Sequence, residues 1–359
     1  MTTNQRTSGV ADPVIFSVDG STESVDDFFA ERGWSDGLPL VAPTPERVDA
    51  ALTALDAEPD AVVGEVPVSR RLADVRSVAV NAVMAGCRPQ HMPAVLSLLQ
   101  ATLQPGFNLA GVQATTHPCA PLAVFGGSVV EELPLNCGAG VLGPGTRANA
   151  VIGRALRLIL LNIGGGTIGE GDKATFGQPG KFTYVAAENA ASNPWSSLRE
   201  DEGLAADTSA VTVFAAEAPH NVNDHGSSTA EGVLVTIAGT LATLGNNNIY
   251  LGGPVLVAFG GEHAALCSRE GMTKDEVRQR IHELCVVRNG DIWWENRQRF
   301  ARIRPDPFAT AAEDDMVPVI RCVDDIAVTV FGGPGRHSMV FPNFGASESQ
   351  TVPITGGLI

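Results

Sequence analysis

The sequence contains few lysines and carries a large excess of acidic residues. Its only lysines are Lys173, Lys181 and Lys274. Schiff-base chemistry, which needs a lysine amine, therefore has few candidate residues. The 40 Asp and Glu residues outnumber the 24 Lys and Arg residues and give a net charge of −16. This charge argues against nucleic acids and anionic membranes as partners.

Cysteine motifs, a signal peptide and long hydrophobic runs are also missing. The six cysteines are scattered without C-x-x-C or zinc-ribbon spacing, so we expect mostly buried, free thiols in a reducing compartment. The first residues, MTTNQRTSGVADPV, lack the apolar core of a signal peptide. No run of about 18 apolar residues occurs without polar interruption. These absences predict a cytoplasmic protein without a membrane partner.

Glycine is abundant in the sequence. The 39 glycines, together with an aromatic content of only 6%, favour an α/β or a glycine-rich β architecture with close backbone contacts. Three segments rich in small residues predict helices that each follow a polar loop and end at or near a glycine: 73–86, 147–162 and 228–245. Three apolar segments that end in Gly-Gly predict buried strands: 121–127, 255–261 and 327–333.

The predicted helices, the loops before them and the strands after them recur in the same order. This order predicts an α/β fold of internally repeated β-loop-α-β units around a pseudo-symmetric centre, in which the loops before the helices lie close together. The alternative is that buried strands simply tend to end in Gly-Gly. We expect a flexible tail at 1–21, a helical segment packed on the main domain at 22–60, the repeated domain at 61–347 and a C-terminal tail at 348–359.

The stretch APHNVNDHGSSTAEG, residues 218–232, concentrates polar side chains before a predicted helix. Its imidazoles and carboxylate suit a divalent metal such as zinc, iron or manganese, or a base with an orienting carboxylate and no metal. Alternatively, Asp224 and Ser227 cap the helix and the histidines bond to loop carbonyls. We expect His220, Asp224 and His225 to be catalytic and Ser227 to contact substrate.

His117, in QATTHPCAP, is the second candidate catalytic residue. Pro118 follows it and stiffens the backbone, so the direction of the imidazole is fixed. We expect His117 to act as an acid or to complete a metal site with His220 and His225. Cys119 lies two residues further and is either a thiol nucleophile or a buried thiol.

Two glycine-rich turns predict anion-binding groups. Thr146 and Arg147, in GPGTRANA, stand at a helix start, where free amides and a guanidinium suit a carboxylate or phosphate. Arg336 and His337, in GGPGRHS, follow a buried strand, where ligands commonly meet α/β sheets. We expect all four residues to bind substrate. The alternative is an ordinary capped helix and an exposed loop.

The glycine-rich stretch NIGGGTIGEGDKATFGQPGKF, residues 162–182, follows a helix rather than a strand. It therefore fails the context that a dinucleotide or P-loop site requires, and we expect no nucleotide cofactor. Lys181 and Glu188 flank the next apolar segment as a predicted catalytic and a predicted substrate-binding residue. The alternative for each is a surface charge at the end of a strand.

Several phrases of the sequence together resemble one protein family: DGLPLVAPTPERV, GVQATTHPCAPL, GPGTRANAVIGRALRLILLNIGG, GQPGKF, PHNVNDHGSSTAEG and GGPGRHS. The family is a poorly characterised bacterial one, found fused to or beside a small UGSC-type selenoprotein domain with a Sec/Cys-Gly-Ser-Cys motif. The resemblance spans residues 36–345. This chain has no Cys-Gly-Ser-Cys motif, so the resemblance implies a separate subunit that carries it wherever redox chemistry is involved.

These candidate residues favour an enzyme of the hydrolase or lyase type that acts on a small polar carboxylate or acyl substrate. One alternative is a thiol-dependent redox enzyme or subunit that uses Cys119 or Cys137 with a separate Cys/Sec-containing partner. Another is a non-catalytic scaffold that binds a ligand. We expect a homo-oligomer. The first interpretation depends on His117 lying close to His220 and His225.

Overall fold

Helices and strands alternate along most of the chain. The computed structural model describes residues 14–18 and 20–359. The α helices are α1 (Thr22–Glu31), α2 (Pro45–Leu52), α3 (Val75–Ala85), α4 (Met92–Leu103), α5 (Leu109–Ala114), α6 (Val129–Glu132), α7 (Arg147–Asn162), α8 (Leu198–Asp201), α9 (Ala230–Leu241), α10 (Asn247–Leu251), α11 (Gly261–Arg269), α12 (Lys274–Leu284), α13 (Trp294–Ile303) and α14 (Pro305–Phe308). The strands are β1 (Val62–Val66), β2 (Arg71–Asp74), β3 (Ala120–Gly126), β4 (Val185–Ala187), β5 (Ala210–Ala216), β6 (His220–Asn223), β7 (Val255–Phe259), β8 (Val286–Arg288), β9 (Met316–Pro318), β10 (Ile326–Val330), β11 (His337–Phe341) and β12 (Gln350–Pro353).

Two four-stranded sheets form the centre of the molecule. The first has the strand order β4-β3-β5-β12 and the second has the order β10-β7-β11-β6. In the first sheet β3 is parallel to β4 and antiparallel to β5, which is antiparallel to β12. In the second sheet β7 is parallel to β10 and antiparallel to β11, which is antiparallel to β6. The two sheets therefore have the same sequence of strand directions.

The two sheets lie between two layers of helices. Alternate residues of each strand face opposite sides, so Leu122 and Phe125 of β3 belong to different cores. Leu122 packs between the sheets with Leu256 and Phe341, whereas Phe125 packs against helices α3, α4 and α7. On the other side Val257 packs with helices α9 and α12. The layers follow the order helices, sheet, sheet, helices.

Helix α7 shows how the sequence specifies these layers. Its buried residues Ile152, Leu156 and Ile159 recur at helical spacing and face the first core. On the opposite side Arg154 forms a two-fold hydrogen bond with the carboxylate of Asp36, at 2.7 and 2.8 Å. This pair connects the N-terminal segment to helix α7.

The mixed α/β class is confirmed, and the predicted helices 73–86, 147–162 and 228–245 correspond to α3, α7 and α9. The predicted C-terminal tail is wrong, because β12 pairs with β5 within the first sheet. Most of the predicted N-terminal tail lies outside the described residues, but Phe16 packs on Phe28 and Trp34. Among the helices that the structure describes, none is long and apolar enough to cross a membrane. The six cysteines carry free thiols.

Candidate functional site

A groove of about 420 Å³ separates two glycine-rich segments of the chain. Residues 139–143 form one wall and residues 331–335 form the other. The N–H of Gly332 donates to the carbonyl of Cys137 at 2.9 Å, which holds the two walls together. The groove lies beside the C-terminal ends of the parallel strands β7 and β10, where α/β sheets commonly bind ligands. Its volume suits a small molecule.

His337 lines this groove and contacts a second histidine. Its Nε2 lies 3.3 Å from Nε2 of His225, and its Nδ1 lies 3.0 Å from Oδ1 of Asn221. Because an amide oxygen only accepts, Nδ1 of His337 carries the proton and Nε2 is an acceptor. The Nε2–H of His225 therefore donates to His337. The pair presents one acceptor and one donor nitrogen side by side.

Strand alternation separates the residues of β6 into two sets. Val222 is buried in the core against the helices, so its neighbour Asn221 faces the other way and lines the groove. His220 has the same orientation as Val222 and points away from the groove. Its Nδ1 contacts the main-chain oxygen of Asn221 at 2.9 Å. The structure therefore does not bring His220 together with His225.

Asp224 holds the backbone around His225 rather than facing substrate. Its carboxylate accepts hydrogen bonds from Ser227 Oγ at 2.7 Å, Ser227 N at 2.8 Å, Thr236 Oγ1 at 2.9 Å and Gly226 N at 3.2 Å. Burial raises the pKa of Asp224, but these hydrogen bonds outweigh it, so the pKa lies below its usual value. These bonds make Asp224 and Ser227 parts of the turn that positions His225, whereas the N-cap of helix α9 is Thr229. With its carboxylate engaged in this turn, Asp224 is a positioning residue rather than the predicted catalytic one, and the hydroxyl of Ser227 binds Asp224.

Two further residues fix the same loop from the side of β11 and α11. Arg336 donates from Nη1 to the carbonyls of His225 at 3.1 Å and Ser227 at 2.9 Å. His263 is buried, with Nε2 3.1 Å from the carbonyl of Asp224 and Nδ1 2.8 Å from the hydroxyl of Ser338. Burial lowers the pKa of His263. These contacts make His225 a positioned residue although its own ring is exposed.

Sequence reasoning missed the two groups that orient the histidine pair, Asn221 and His263. Asn221 stands within the polar stretch that begins at Ala218, and His263 follows the Gly-Gly at the end of β7. The order of polar residues contains no signal for their roles, because the pairing of β6 with β11 creates the contact between Asn221 and His337.

His117 lies at the other end of the second sheet. Its Nε2 is 2.7 Å from Oε1 of Glu217, and its ring stacks on Phe344. His337 begins β11 and Phe344 follows its end, so the intervening extended chain separates the two sites by roughly 20 Å. The expectation that His117 meets the loop of His225 is therefore wrong.

The predicted metal site is not assembled. In the part of the chain that the structure describes, no group of three or more His, Cys, Asp or Glu side chains could hold a metal ion. His117, His220 and His225 each have different neighbours. A metal would have to be held by fewer protein ligands than the three that the sequence analysis proposed.

Lys181 and Glu188 also lie away from the groove. Lys181 binds the carboxylate of Asp172 at 2.7 and 2.9 Å. Glu188 is buried and accepts hydrogen bonds from Leu198 N at 3.0 Å and Thr329 Oγ1 at 2.9 Å. Burial raises the pKa of Glu188 despite these bonds. Its contact with β10 joins the two sheets, so the predicted substrate contact of Glu188 is replaced by a structural one.

Thr146 and Arg147 follow the groove wall without lining it. Thr146 precedes helix α7, and its side chain makes no capping hydrogen bond. Arg147 is exposed at the first position of the helix. Both residues come three or four positions after Gly143, the last residue of the wall. Neither residue belongs to the set that lines the groove.

Cys119 has the environment of a structural thiol. It is 1% exposed, and burial raises its pKa to about 12. A thiol with this pKa is almost fully protonated at neutral pH and is a weak nucleophile. The thiol-dependent interpretation therefore receives no support from Cys119 in this conformation.

Comparisons with known proteins add no assignment to this geometry. A scan against protein-family models finds no match, and a search of curated proteins finds none either.

Proposed function

We propose that the protein is an enzyme of the hydrolase or lyase type that binds a small polar carboxylate or acyl substrate in the groove. The observation that carries the proposal is the 3.3 Å approach of His225 Nε2 to His337 Nε2 beside a groove of about 420 Å³. Paired imidazoles of this kind exchange protons near neutral pH. Within this proposal His225 keeps its predicted catalytic role. His337, which was predicted to bind substrate, becomes the base, and Asn221 is added as the residue that orients it.

The tautomers assign opposite roles to the two rings. Nε2 of His337 accepts a proton because its Nδ1–H is engaged by Asn221. The Nε2–H of His225 donates and is supported by the loop that Arg336 and Asp224 hold. A substrate group that displaces the direct contact between the rings meets a base and an acid at once. The glycine walls let its polar groups approach the main chain closely.

Activity measurements on histidine variants test this proposal. Wild-type protein is assayed by proton release against a panel of small carboxylates, esters and amides. We expect His337→Gln to lower turnover of any accepted substrate by about 100-fold, in the range of lost general acid–base catalysis. His220→Gln is the matched control, because His220 lies on the other face of β6; we expect less than a twofold change. Equal loss in both variants would refute the proposal.

We propose a metal-assisted version of the same chemistry as the second candidate. Two nitrogens bound to a tetrahedral zinc ion lie about 3.3 Å apart for bonds of about 2.0–2.1 Å. The distance of 3.3 Å between the Nε2 atoms of His225 and His337 equals this nitrogen–nitrogen distance. Binding requires His225 to present an unprotonated Nε2, with substrate or water as the remaining ligands.

Calorimetric titration with Zn²⁺ and Co²⁺ distinguishes the two candidates. The metal version predicts one site per chain that is lost in His337→Ala and kept in His220→Ala. An identical titration of both variants would contradict it, and metal-free activity would favour the proton-transfer version.

We also propose that the chain contains two related halves around a pseudo-symmetric centre. The shared strand directions of the two sheets support this proposal. In addition, β6 follows β5 but joins the second sheet, whereas β12 follows β11 but joins the first. Helix α4 packs on β5 and β12 as α9 packs on β11 and β6. Superposition of β4, β3, β5 and β12 on β10, β7, β11 and β6, in this order, tests the proposal. An equally good fit after a shift of the strand order would overturn it.

A further inference from the structure

His117 and Glu217 form a polar pair at the end of the second sheet opposite the groove. An ionised carboxylate only accepts, so the Nε2–H of His117 donates to Oε1 of Glu217 at 2.7 Å. In the neutral form of the imidazole, Nδ1 of His117 is then an acceptor. It is buried, and no protein group among the described residues donates to it. A buried acceptor of this kind calls for a hydrogen-bond donor.

Charge around this pair is balanced. Lys181 and Arg157 both contact the carboxylate of Asp172, at 2.7 and 3.4 Å. With Glu217 paired to a neutral His117, the surrounding formal charges are two positive and two negative and sum to zero. The electrostatic environment therefore favours a neutral ligand over a free anion or cation.

A short segment, residues 172–178, is attached to the chain beside each member of the pair, and we call it the strap. The N–H of Thr175 donates to the carbonyl of Thr116 at 2.9 Å, next to His117. The side chain of Gln178 donates to the carbonyl of Ala216 at 3.0 Å, next to Glu217. The strap is thus attached on both sides of the His117–Glu217 pair.

Phe176 stands on the strap between these two attachments and is 92% exposed. The ring of Phe176 therefore exposes apolar surface that a ligand can bury. The next residue, Gly177, has a φ of 67°, a conformation that glycine adopts without strain. The ring of Phe344, stacked on His117, adds a second apolar surface.

A small cavity lies close to Glu217. A cavity of about 30 Å³ is lined by the side chains of Cys119, Lys181 and Tyr184. The hydroxyl of Tyr184 donates to the carbonyl of Glu217 at 2.8 Å, which places this cavity next to the pair. The volume is enough for one or two water-sized groups and too small for a whole substrate.

From these observations we propose that His117 and Glu217 form a second binding site, for a neutral small molecule that has an O–H or N–H donor on an apolar body. The donor binds Nδ1 of His117. The apolar body packs between Phe344 and Phe176. Binding of this molecule does not involve the groove, so the proposal can be tested separately from the proposed function.

Phenol is the probe, because it has an O–H donor on an apolar ring. Toluene is the control that lacks a donor, and benzoate is the control that carries a negative charge. Each is titrated into full-length protein with ¹⁵N-labelled histidine, and the imidazole signals are followed by NMR. His117→Asn assigns the signals of His117. We expect phenol to shift them, and toluene and benzoate to bind at least tenfold more weakly.

Phe176→Ala is the variant that leaves the fold intact, because the ring is exposed. We expect it to raise the Kd for phenol at least fivefold, whereas His337→Gln leaves that Kd unchanged. Three results would overturn the proposal: no response of His117 to phenol, an equal response to toluene, or an unchanged Kd in Phe176→Ala. The first of these would mean that the acceptor is satisfied by water alone.

Discussion

At the scale of single residues, one carboxylate holds the loop that carries His225: Asp224 accepts hydrogen bonds from the hydroxyls of Ser227 and Thr236. The sequence allowed two interpretations of Asp224 and Ser227, chemistry or a helix cap, but their contacts form a turn before helix α9, whose N-cap is Thr229. His225 and His337 were both predicted, yet their pairing depends on a contact between positions 112 residues apart. Local spacing does not encode such a contact. The role of Asn221 was missed for the same reason.

Asp224→Asn tests the residue that holds the loop of His225. The variant keeps the shape but loses an acceptor for Ser227 or Thr236, so we expect a loss of about 1–3 kcal/mol in the free energy of unfolding at pH 7. The pKa of Asp224 lies below its usual value in the folded state. The stabilisation is therefore present above the unfolded pKa and is lost as the pH falls through the folded pKa.

Urea unfolding of Asp224→Asn and wild type, measured from pH 7 down to pH 3, checks both parts. The difference between the two proteins should shrink as the pH falls. A difference that is constant or grows toward low pH would show that the carboxylate does not stabilise the loop.

At the scale of elements, helices and strands were the most predictable features. Segments rich in small residues located α3, α7 and α9, and apolar segments that end in Gly-Gly located β3, β7 and β10. The stretch after α7 was less predictable, because many glycines allow both a loop and a tight backbone contact. Gly171 shows the second case: a Cβ there would collide with the carbonyl of Gly165. Such close approaches depend on which other segment of the same chain lies opposite the glycine, and the local sequence does not specify that segment.

Glycine-to-alanine exchange in two helices tests the packing of α7 against β4. A Cβ on Gly153 would lie 2.9 Å from both Tyr184 N and Val185 Cγ2, so we expect Gly153→Ala to destabilise the protein by about 1–3 kcal/mol. Gly239 in α9 has open space, and Gly239→Ala should stabilise the protein by up to about 1 kcal/mol. Thermal and urea unfolding measure both effects. Similar changes of the same sign would argue against the close contact.

At the scale of the whole molecule, the exchange of edge strands decides where the sites lie. Only residues 217–219 separate β5 from β6, yet these strands belong to different sheets. This crossing places His117 and His225 at opposite ends of the molecule. A short polar link between two strands is equally compatible with a hairpin. The sequence therefore did not reveal that the chain passes from one sheet to the other between β5 and β6. The convergence of the two sites was predicted wrongly for this reason.

Truncation at the C-terminus tests the exchange. Removal of residues 348–359 deletes β12, whose Val352 is buried and whose Thr351 hydroxyl lies 2.9 Å from that of Thr212. We expect the shortened protein to lose cooperative unfolding, because the edge of β5 and one face of α4 become exposed. Removal of Leu358 and Ile359 alone, both exposed, is the control and should leave the melting temperature unchanged. Equal melting of the two proteins would contradict the assigned sheet order.

The most direct measurement of the central claim is a double-mutant cycle of His225→Gln and His337→Gln on the first substrate that the panel yields. Because the rings act as one unit across 3.3 Å, we predict that each single change lowers kcat by about 100-fold. The double variant should lose less than about tenfold more. Two independent losses that multiply, or full activity in either single variant, would contradict the claim that this pair carries out the chemistry of the groove.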